Sequence, residues 1–349
     1  MSEQNPRTTP PRLWIAELAL LAVAVIWGVN IPIMKIALAM GIDRFALNGL
    51  RLVVSALSLM AFAALERRSG PRPNLRKHWP RTLAYAVLVS GLYQLLFLLA
   101  VSQTTSADIA LIMATVPLWT AIGARLVLNE ILSRTAWIGL LIAFAGTVLV
   151  TVQGAPNASP DNTPQINASQ NIQTNSTPQN QAPANPEDSR RRFAGNVIAL
   201  LAALAWSAGT ILSRPMLSAI SPLQLAALST TLCLPMHLLV AGPTLTQSLA
   251  FLSSPSLLLC LLYSGTLSTG IAMPLWSFGV RQAGAAHATM FQNLSPIIAV
   301  ISAWFILGEA LSPAQAIGGS LILGGLFVMR RARNEANSPA PSLASRSPK

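Results

Sequence analysis

The chain has 349 residues, of which 52% are hydrophobic and only 10% are charged, and its formal net charge is +12. Soluble domains carry about 25% charged residues, so this composition excludes an ordinary soluble globular protein. The lysines and arginines flank apolar runs, which makes the positive charge a topology signal and argues against nucleic acid as a partner. Cys233 and Cys260 both lie in apolar runs and show no metal-binding or disulfide pattern.

Apolar runs of about 20 residues follow one another along the chain, each long enough to cross a hydrocarbon core of roughly 30 Å. They predict an all-α polytopic membrane protein with ten transmembrane helices. The predicted spans are 13–36, 44–65, 81–102, 107–128, 135–153, 194–213, 222–241, 256–278, 286–307 and 313–330.

The segments between and beyond these spans differ sharply in composition. Residues 154–193 are rich in Asn, Pro and Gln with almost no large apolar side chains, which is typical of a disordered linker. The predicted domains are a cytoplasmic N-terminal tail at 1–12, a five-helix repeat at 13–153, this linker, a second five-helix repeat at 194–331 and a disordered cytoplasmic tail at 332–349.

The two halves repeat each other at a constant distance of 179 positions. The segment Thr105–Glu130 matches Gly284–Glu309, with proline on proline and glutamate on glutamate. Five further pairs share the distance: Trp27 and Trp206, Lys35 and Arg214, Gly91 and Gly270, Gly139 and Gly318, Gly146 and Gly325. An odd number of spans per repeat places the two copies upside down relative to each other, as in many secondary transporters.

Basic residues set the predicted orientation. The expected location is the inner membrane, with both termini in the cytoplasm. In this orientation 17 of the 23 Lys and Arg lie on the cytoplasmic side. The cluster Arg190–Arg192 lies on the other side and is the discordant feature.

Polar and aromatic residues inside spans are the candidate substrate-binding residues. Gly28 and Pro32 loosen the first span around Asn30, as expected of a discontinuous helix that lines a site. Two adjacent amides in a span are costly unless they have partners. The full candidate set is Asn30, Trp27, Gln94, Tyr93, Trp206, Trp276, Gln292 and Asn293. Helix packing and interhelical hydrogen bonds are the alternative roles.

Prolines and acids within the spans have structural and coupling interpretations. Pro32, Pro117 and Pro296 each remove a backbone hydrogen bond and are candidate kinks or hinges. The acids are Glu17, Asp108, Glu130 and Glu309. Asp108 suits a helix N-terminus. Glu130 and Glu309 end their helices on opposite membrane faces and are expected to be structural anchors near Arg125 or Arg134. A proton as coupling ion stays open, because none of the four acids stands out as its carrier.

Arg51 lies about a third of the way into the second span. A cation at this depth needs a partner or a hydrated cavity. The chain contains no GK[ST] phosphate loop, no HExxH and no Cys-His cluster, so no cofactor, no metal and no enzymatic activity is predicted.

Several motifs in order resemble the EamA-type transporters of the drug/metabolite transporter superfamily. They are W-G-x-N at Trp27–Asn30, A-D-I-A-L-I-x-x-x-x-P at Ala107–Pro117, L-x-L-N-E at Leu126–Glu130, A-A-H-A-T-M-F-Q-N-L-S-P at Ala285–Pro296 and GGSLILGGLFV at Gly318–Val328. The resemblance implies a ten-helix inner-membrane carrier, with a central cavity between the halves, that exports small metabolites such as amino acids or their derivatives. The long Asn-rich linker departs from the tight junction of most members.

The predicted function is therefore a secondary transporter that works by alternating access on a small metabolite. A polytopic membrane enzyme and a non-transporting membrane scaffold are the rival hypotheses. The enzyme would need a cluster of catalytic side chains at one membrane face, and the sequence shows none. Oligomeric state is not addressed by the sequence.

Overall fold

The structure is a computed structural model and describes residues 13–67, 75–104, 109, 112–113, 115–130, 132–153, 186–307 and 313–337. Within these ranges the secondary structure is helical, without strands. The first half contains α1 (Leu13–Ala39), α2 (Arg44–Arg67), α3 (Leu75–Tyr85), α4 (Gln94–Gln103), α5 (Val116–Val127) and α6 (Arg134–Gln153). The second half contains α7 (Pro186–Met216), α8 (Pro222–Ser248), α9 (Pro255–Leu262), α10 (Ala272–Ala283), α11 (Ala285–Met290), α12 (Leu294–Leu307) and α13 (Pro313–Asn337).

Two π-helical segments interrupt the α-helices at corresponding places. The first, Ala86–Tyr93, joins α3 to α4, and the second, Tyr263–Ile271, joins α9 to α10. They contain the repeat mates Gly91 and Gly270. π-Helical turns are rare and concentrate at functional sites. Their presence at matching places in both halves makes this region a candidate for the functional site.

Seven described stretches are long and apolar enough to cross a membrane. They are Leu13–Ala39, Arg44–Glu66, His78–Ala100, Arg190–Met216, Pro222–Ser253, Pro255–Ala283 and Ala285–Ile306. Three shorter apolar helices accompany them: Val116–Val127, Arg134–Leu149 and Ala316–Met329. The chain is therefore a multi-pass membrane protein, and seven of the expected spans are supported by length as well as composition.

The outer surface carries many exposed large apolar side chains, as expected of a surface that contacts lipid. Leu239, Leu126 and Phe327 are 80%, 76% and 67% exposed, which would be unfavourable in water for a monomer carrying so many such side chains. The interior is instead rich in alanine and glycine, the residues that let membrane helices approach closely.

The closest helix contact lies between α6 and α13, the last helix of each repeat. A Cβ added at Gly139 would lie 2.7 Å from the carbonyl oxygen of Gly325, and one added at Gly146 would lie 2.6 Å from that of Gly318. The two backbones therefore touch, and only glycine allows this approach. Since the earlier glycine of one helix meets the later glycine of the other, these repeat-equivalent helices are antiparallel, as inverted repeats require.

Helix boundaries differ from the sequence-based expectation in two places. The helix α7 begins at Pro186, inside the predicted linker, and α13 continues to Asn337, inside the predicted disordered tail. Proline is favoured at the first helical position, and Glu187 there complements the helix dipole. Arg, Ala and Glu after Met329 are good helix formers, so both helices extend beyond their apolar spans.

The expected break in the first span is absent. The helix α1 runs without interruption from Leu13 to Ala39 through Gly28, Asn30 and Pro32. Breaks among the described residues include the two π segments, the 3-10 turn Phe291–Asn293 and the 3-10 segment Leu249–Ser253. At Gly242, non-helical dihedral angles kink α8 just before Pro243.

Candidate functional site

Three of the candidate tryptophans meet at the junction of the two halves. The ring centroids of Trp27, Trp206 and Trp276 are separated by 5.6 to 5.7 Å in all three pairs, and Tyr93 lies 4.8 Å from Trp206. These four side chains come from α1, α7, α10 and the first π segment, and we call them the aromatic cluster. Aromatic pairs at such distances are mutually stabilising and give the junction a rigid apolar centre.

The indole nitrogens of the cluster differ in their hydrogen bonding. The Nε1–H of Trp27 donates to the carbonyl oxygen of Ser268 at 2.9 Å. This carbonyl belongs to the second π segment, so the bond ties the first half to the second. The Nε1 of Trp206, a residue only 5% exposed, is buried without a hydrogen-bond partner among the described residues.

The second π segment also holds Asn30. The hydroxyl of Ser264 donates to Asn30 Oδ1 at 2.6 Å, and the hydroxyl of Tyr263 donates to the carbonyl oxygen of Ile26 at 3.2 Å. The amide of Asn30 is therefore fixed next to the aromatic cluster, three residues beyond Trp27 on α1.

The two adjacent amides lie in a break of the ninth predicted span. Gln292 and Asn293 form a 3-10 turn between α11 and α12. Pro296 has no N–H, so it cannot form the helical bond to the carbonyl of Gln292, and a break at this point follows. Asn293 is 3% exposed, and its Nδ2 and the Oε1 of Gln292 have no hydrogen-bond partner among the described residues.

This turn lies against the first helix close to the aromatic cluster. A Cβ added at Gly28 would lie 2.9 Å from the carbonyl oxygen of Ser295 and 2.7 Å from the side chain of Ile298. Gly28 is the residue after Trp27, so α12 packs on α1 at the level of the cluster. The predicted amides and the predicted aromatics thus belong to one region.

Gln94 belongs to a polar network centred on Arg51. Arg51 donates to Asn48 Oδ1 at 2.8 Å and to Gln94 Oε1 at 3.2 Å. Asn48 Nδ2 lies 3.3 Å from His237 Nδ1, and His237 Nε2 lies 2.7 Å from the carbonyl oxygen of Ser90. The network connects α2 and α8 through the first π segment.

Glu130 forms a contact across the halves rather than one within its own helix. Its carboxylate accepts the N–H groups of Ala285 and Ala286 at 3.1 and 3.2 Å, which caps the start of α11. The cation beside it is Arg214, with Nε 3.6 Å from Oε1, and not Arg125 or Arg134 as expected. Those two arginines are its neighbours in sequence, but the fold brings the end of α7 to Glu130 instead.

A second acid, Glu17, faces His287. The carboxylate oxygen Oε1 lies 3.4 Å from Nε2, and both residues are buried. His287, Glu130 and Arg214 line a cavity of about 330 Å³ together with residues of α10 and α13. The other two candidate acids, Asp108 and Glu309, lie outside the described residues.

The polar groups and the aromatic cluster follow one another along the helices. On α1 the order is Glu17, Trp27, Asn30, and at 1.5 Å per residue Glu17 lies about 15 Å from Trp27. On α7 the order is reversed, since Trp206 precedes Arg214, which lines the same cavity as His287. Asn30, beyond Trp27 from Glu17, binds Ser264, and the next residue, Gly265, lies against Arg51. The aromatic cluster therefore lies between the Glu17–His287 pair and the Arg51 network.

The prolines hold different places in their helices. Pro32 lies inside continuous α1, whereas Pro117 and Pro296 lie in the first turns of α5 and α12. The matched prolines thus lie near the starts of equivalent helices, and their role as hinges stays a prediction. Among the residues that the structure describes, no group of three His, Cys, Asp or Glu side chains could hold a metal ion.

Two similar halves whose last helices are antiparallel, lipid-facing leucines and buried polar groups at the junction define a multi-pass membrane protein with a candidate site between its halves. The EamA-like transporter family model matches residues 14–152 and again residues 193–331. The two matches are displaced by the same 179 positions as the repeat, and together they cover most of the chain. The chain belongs to the EamA-like transporter family, within the drug/metabolite transporter superfamily, and is a membrane transporter.

Relatives of the chain include proteins named as an efflux pump and an exporter. A WAT1-related protein of Arabidopsis thaliana is 28% identical over 86% of this chain and 78% of its own length. A probable amino-acid metabolite efflux pump of Salmonella typhimurium is 26% identical over 88% of this chain and 92% of its own. A probable terminal-alkyne amino-acid exporter of Streptantibioticus cattleyicolor is 21% identical over 92% and 96%. A solved crystal structure with 20% identity superposes with a TM-score of 0.65 over 93% of this chain and 99% of that chain, which shows the fold.

Sequence reasoning missed three parts of this region. The π segments are a local departure from α-helix that an apolar sequence does not reveal. The partnership of Asn48 with His237 and that of Glu17 with His287 depend on contacts between residues far apart in the chain. His237 inside an apolar span was a usable signal, because an ionisable residue at that depth is usually partnered or functional.

Proposed function

We propose that this protein is a secondary transporter that exports a small metabolite, an amino acid, an amino-acid derivative or a related amphipathic compound, by alternating access. The names of the efflux pump and the exporter among its relatives support the direction and the class of cargo. The ten-span arrangement of two inverted five-helix repeats, in a cell inner membrane with both termini cytoplasmic, completes the proposal and rests on the antiparallel α6 and α13 and on the basic residues.

The observation that carries the proposal is the pair of unpartnered amides. Asn293 Nδ2 and Gln292 Oε1 are buried in a membrane span, yet neither has a hydrogen-bond partner among the described residues. Leaving such groups unsatisfied costs about 1–3 kcal/mol each. A polar cargo that offers an acceptor to Asn293 and a donor to Gln292 would remove that cost while it is bound.

The aromatic cluster supports alternating access. It lies between the Glu17–His287 pair on one side and the Arg51 network on the other, so it separates two polar regions of the junction. Its residues come from both halves, and rocking of one half against the other would open one side while the cluster closes the other. Asn30 and Gln94, each fixed beside the cluster, would contact the cargo as it passes.

The proton is the coupling ion we favour. Glu17 lies 3.4 Å from His287, and His287 lines the cavity that Glu130 and Arg214 also line. This buried acid–imidazole pair next to the cavity is the proton carrier that we propose. Export by the Glu17→Gln variant should lose its dependence on an imposed pH gradient. Gradient-driven export that is unchanged in this variant would show that the site does not carry the proton.

The test of the proposed function compares the small molecules in the medium and inside cells that produce each variant. Asn293→Ala and Gln292→Ala should abolish the external accumulation of a compound that cells with the unaltered protein release, at equal amounts of protein in the membrane. Ser320→Ala is the matched control, because Ser320 is exposed on α13 and, among the described residues, its hydroxyl donates to the carbonyl oxygen of Ala316 of its own helix. Full export by both amide variants would remove these residues from the site.

A further inference from the structure

Arg51 is the strongest charged feature of the junction that the proposed function leaves unexplained. It lies in α2, partly buried, between the first and second π segments: Gln94 follows the first, and a Cβ added at Gly265 of the second would lie 3.0 Å from the carbonyl oxygen of Arg51. A guanidinium at membrane depth is rare and marks a functional site by default.

The partners of Arg51 accept hydrogen bonds from its guanidinium but do not balance its positive charge. Its two acceptors, Asn48 Oδ1 and Gln94 Oε1, are neutral amide oxygens. Glu130 pairs with Arg214 and Glu17 with His287, and no ion pair of Arg51 is found among the described residues. The buried Nε of Arg51 has no hydrogen-bond partner among them either.

The rest of the network adds no compensating charge. Arginine is only a donor, so Asn48 uses its oxygen for Arg51, which leaves Nδ2–H to donate to His237 Nδ1. The imidazole then carries its proton on Nε2 and donates to the carbonyl oxygen of Ser90. His237 is therefore neutral, and the whole network has a net charge of +1.

The network adjoins the aromatic cluster. Tyr93 precedes Gln94 in the chain and packs 4.8 Å from Trp206. A bound molecule that reaches the guanidinium of Arg51 thus has aromatic surface next to it. Guanidinium binds planar carboxylates through paired hydrogen bonds better than it binds any neutral group.

We propose that Arg51 is the docking residue for a carboxylate group of the cargo, so that this transporter selects small carboxylates whose apolar part lies against the aromatic cluster. The inference rests on the proposed function and narrows its substrate class. The carboxylate would accept a hydrogen bond from the unpartnered Nε and neutralise the network, while Asn48 and Gln94 hold the guanidinium in place.

Three probes of equal shape and different charge test the inference on the purified full-length protein in lipid nanodiscs. Phenylacetate is the anion, 2-phenylethanol the neutral compound and phenethylamine the cation, and calorimetry near neutral pH gives each dissociation constant. Phenylacetate should bind at least about tenfold more tightly than the other two, as expected for hydrogen bonds to a charged group. Equal binding of the three, or no binding of phenylacetate, would overturn the inference without any variant.

Variants of Arg51 test whether this residue is the origin of the preference for phenylacetate. Arg51→Gln should lose the preference for phenylacetate, and Arg51→Lys should retain part of it because it keeps the charge. Arg44→Gln, at the exposed start of the same helix, is the matched control and should behave as the unaltered protein. A preference that survives Arg51→Gln would overturn the inference.

The failure of this inference and that of the proposed function are distinguishable. If cells export compounds that carry no anionic group, the transporter stands and the carboxylate selection is wrong. If the purified protein binds phenylacetate through Arg51 while cells export nothing, the binding site stands and the proposed export is wrong.

Discussion

The rings of Trp27 and Trp206 meet edge to face with their centroids 5.6 Å apart, and the two residues are repeat mates. Exchanging the halves maps this pair onto itself, so the contact lies near the pseudo-twofold axis that relates the repeats. The same exchange maps the Gly139–Gly325 contact onto that between Gly318 and Gly146. In inverted-repeat transporters the cargo site lies at such a junction, which agrees with the residues gathered around the two tryptophans.

The glycine contact between α6 and α13 predicts a large difference between two neighbouring positions. A Cβ at Gly325 would lie 2.5 Å from the carbonyl oxygen of Gly139, whereas one at Gly324 would have nothing within 4 Å. Gly325→Ala should destabilise the protein by about 1–3 kcal/mol through overpacking. Gly324→Ala should be neutral or slightly stabilising, because alanine favours a helix. Thermal unfolding of both variants in one detergent is the measurement, and equal midpoints would contradict the tight contact.

The cap at α11 predicts a ranking among charged residues. Glu130→Ala should destabilise the protein by about 1–2 kcal/mol, because it leaves two N–H groups at a helix start without acceptors. Arg214→Ala should cost less, about 0–1 kcal/mol, because the pair is partly exposed. Arg125→Ala and Arg134→Ala should have no effect. If either exposed arginine mattered as much as Glu130, the contact with Arg214 would be the wrong description.

Two substitutions in the aromatic cluster separate stability from transport. Trp27→Phe removes the donor to the Ser268 carbonyl and should lower stability by about 1–2 kcal/mol. Trp206→Phe also loses ring contacts, but the indole N–H that it removes has no partner among the described residues, so this variant should be less destabilised than Trp27→Phe. Export should still fall, if this N–H donates to bound cargo. Paired unfolding and export measurements check both statements, and a Trp206→Phe variant with normal export would remove the N–H from the site.

Asp43, in the connection between α1 and α2, predicts a pH dependence of stability. Partial burial acts to raise the pKa of Asp43, but hydrogen bonds from the Ala46 N–H, the Thr244 hydroxyl and the Phe45 N–H outweigh it and hold the pKa below 3.8. A lowered pKa in the folded state means that the stabilisation is present above the unfolded value and is lost as pH falls through the folded one.

The matched variant for this prediction is Asp43→Asn. The difference in unfolding midpoint between the unaltered protein and Asp43→Asn should be constant from neutral pH down to about pH 5 and should shrink below about pH 4. Thr244→Val removes one of the three donors to Asp43 Oδ1. Its unfolding midpoint should therefore differ from that of the unaltered protein by less than the midpoint of Asp43→Asn does, over the same pH range. A midpoint difference that grows on acidification would contradict the assigned hydrogen bonds.

The repeat and the candidate aromatic residues could be predicted from sequence, because residue types and their spacing along the chain are enough to recognise them. A constant distance of 179 positions relates Trp27 to Trp206 and each glycine of α6 to its mate in α13. Trp276 has no tryptophan at the equivalent place in the first half, and only the packing of α10 against α1 shows that it joins the others.

The partners of the polar residues could not be predicted, because the fold selects them. Glu130 has Arg125 and Arg134 nearby in sequence, yet the groups it binds lie 155 and 156 positions away. The break expected at Asn30 and Pro32 is absent because α1 keeps its helical path through them, with Asn30 bonded to Ser264. The π segments carry no hydrophobic period of their own, so Ala86–Tyr93 looks in the sequence like ordinary membrane helix.

Transport by the purified chain is the most direct test of the central claim. Proteoliposomes would be loaded with a soluble extract of small molecules from cells, and the compounds released would be compared with those from protein-free liposomes and from vesicles with Asn293→Ala. The account predicts that one or a few small metabolites leave faster with the unaltered protein than in either control. Identical release from all three preparations would contradict it.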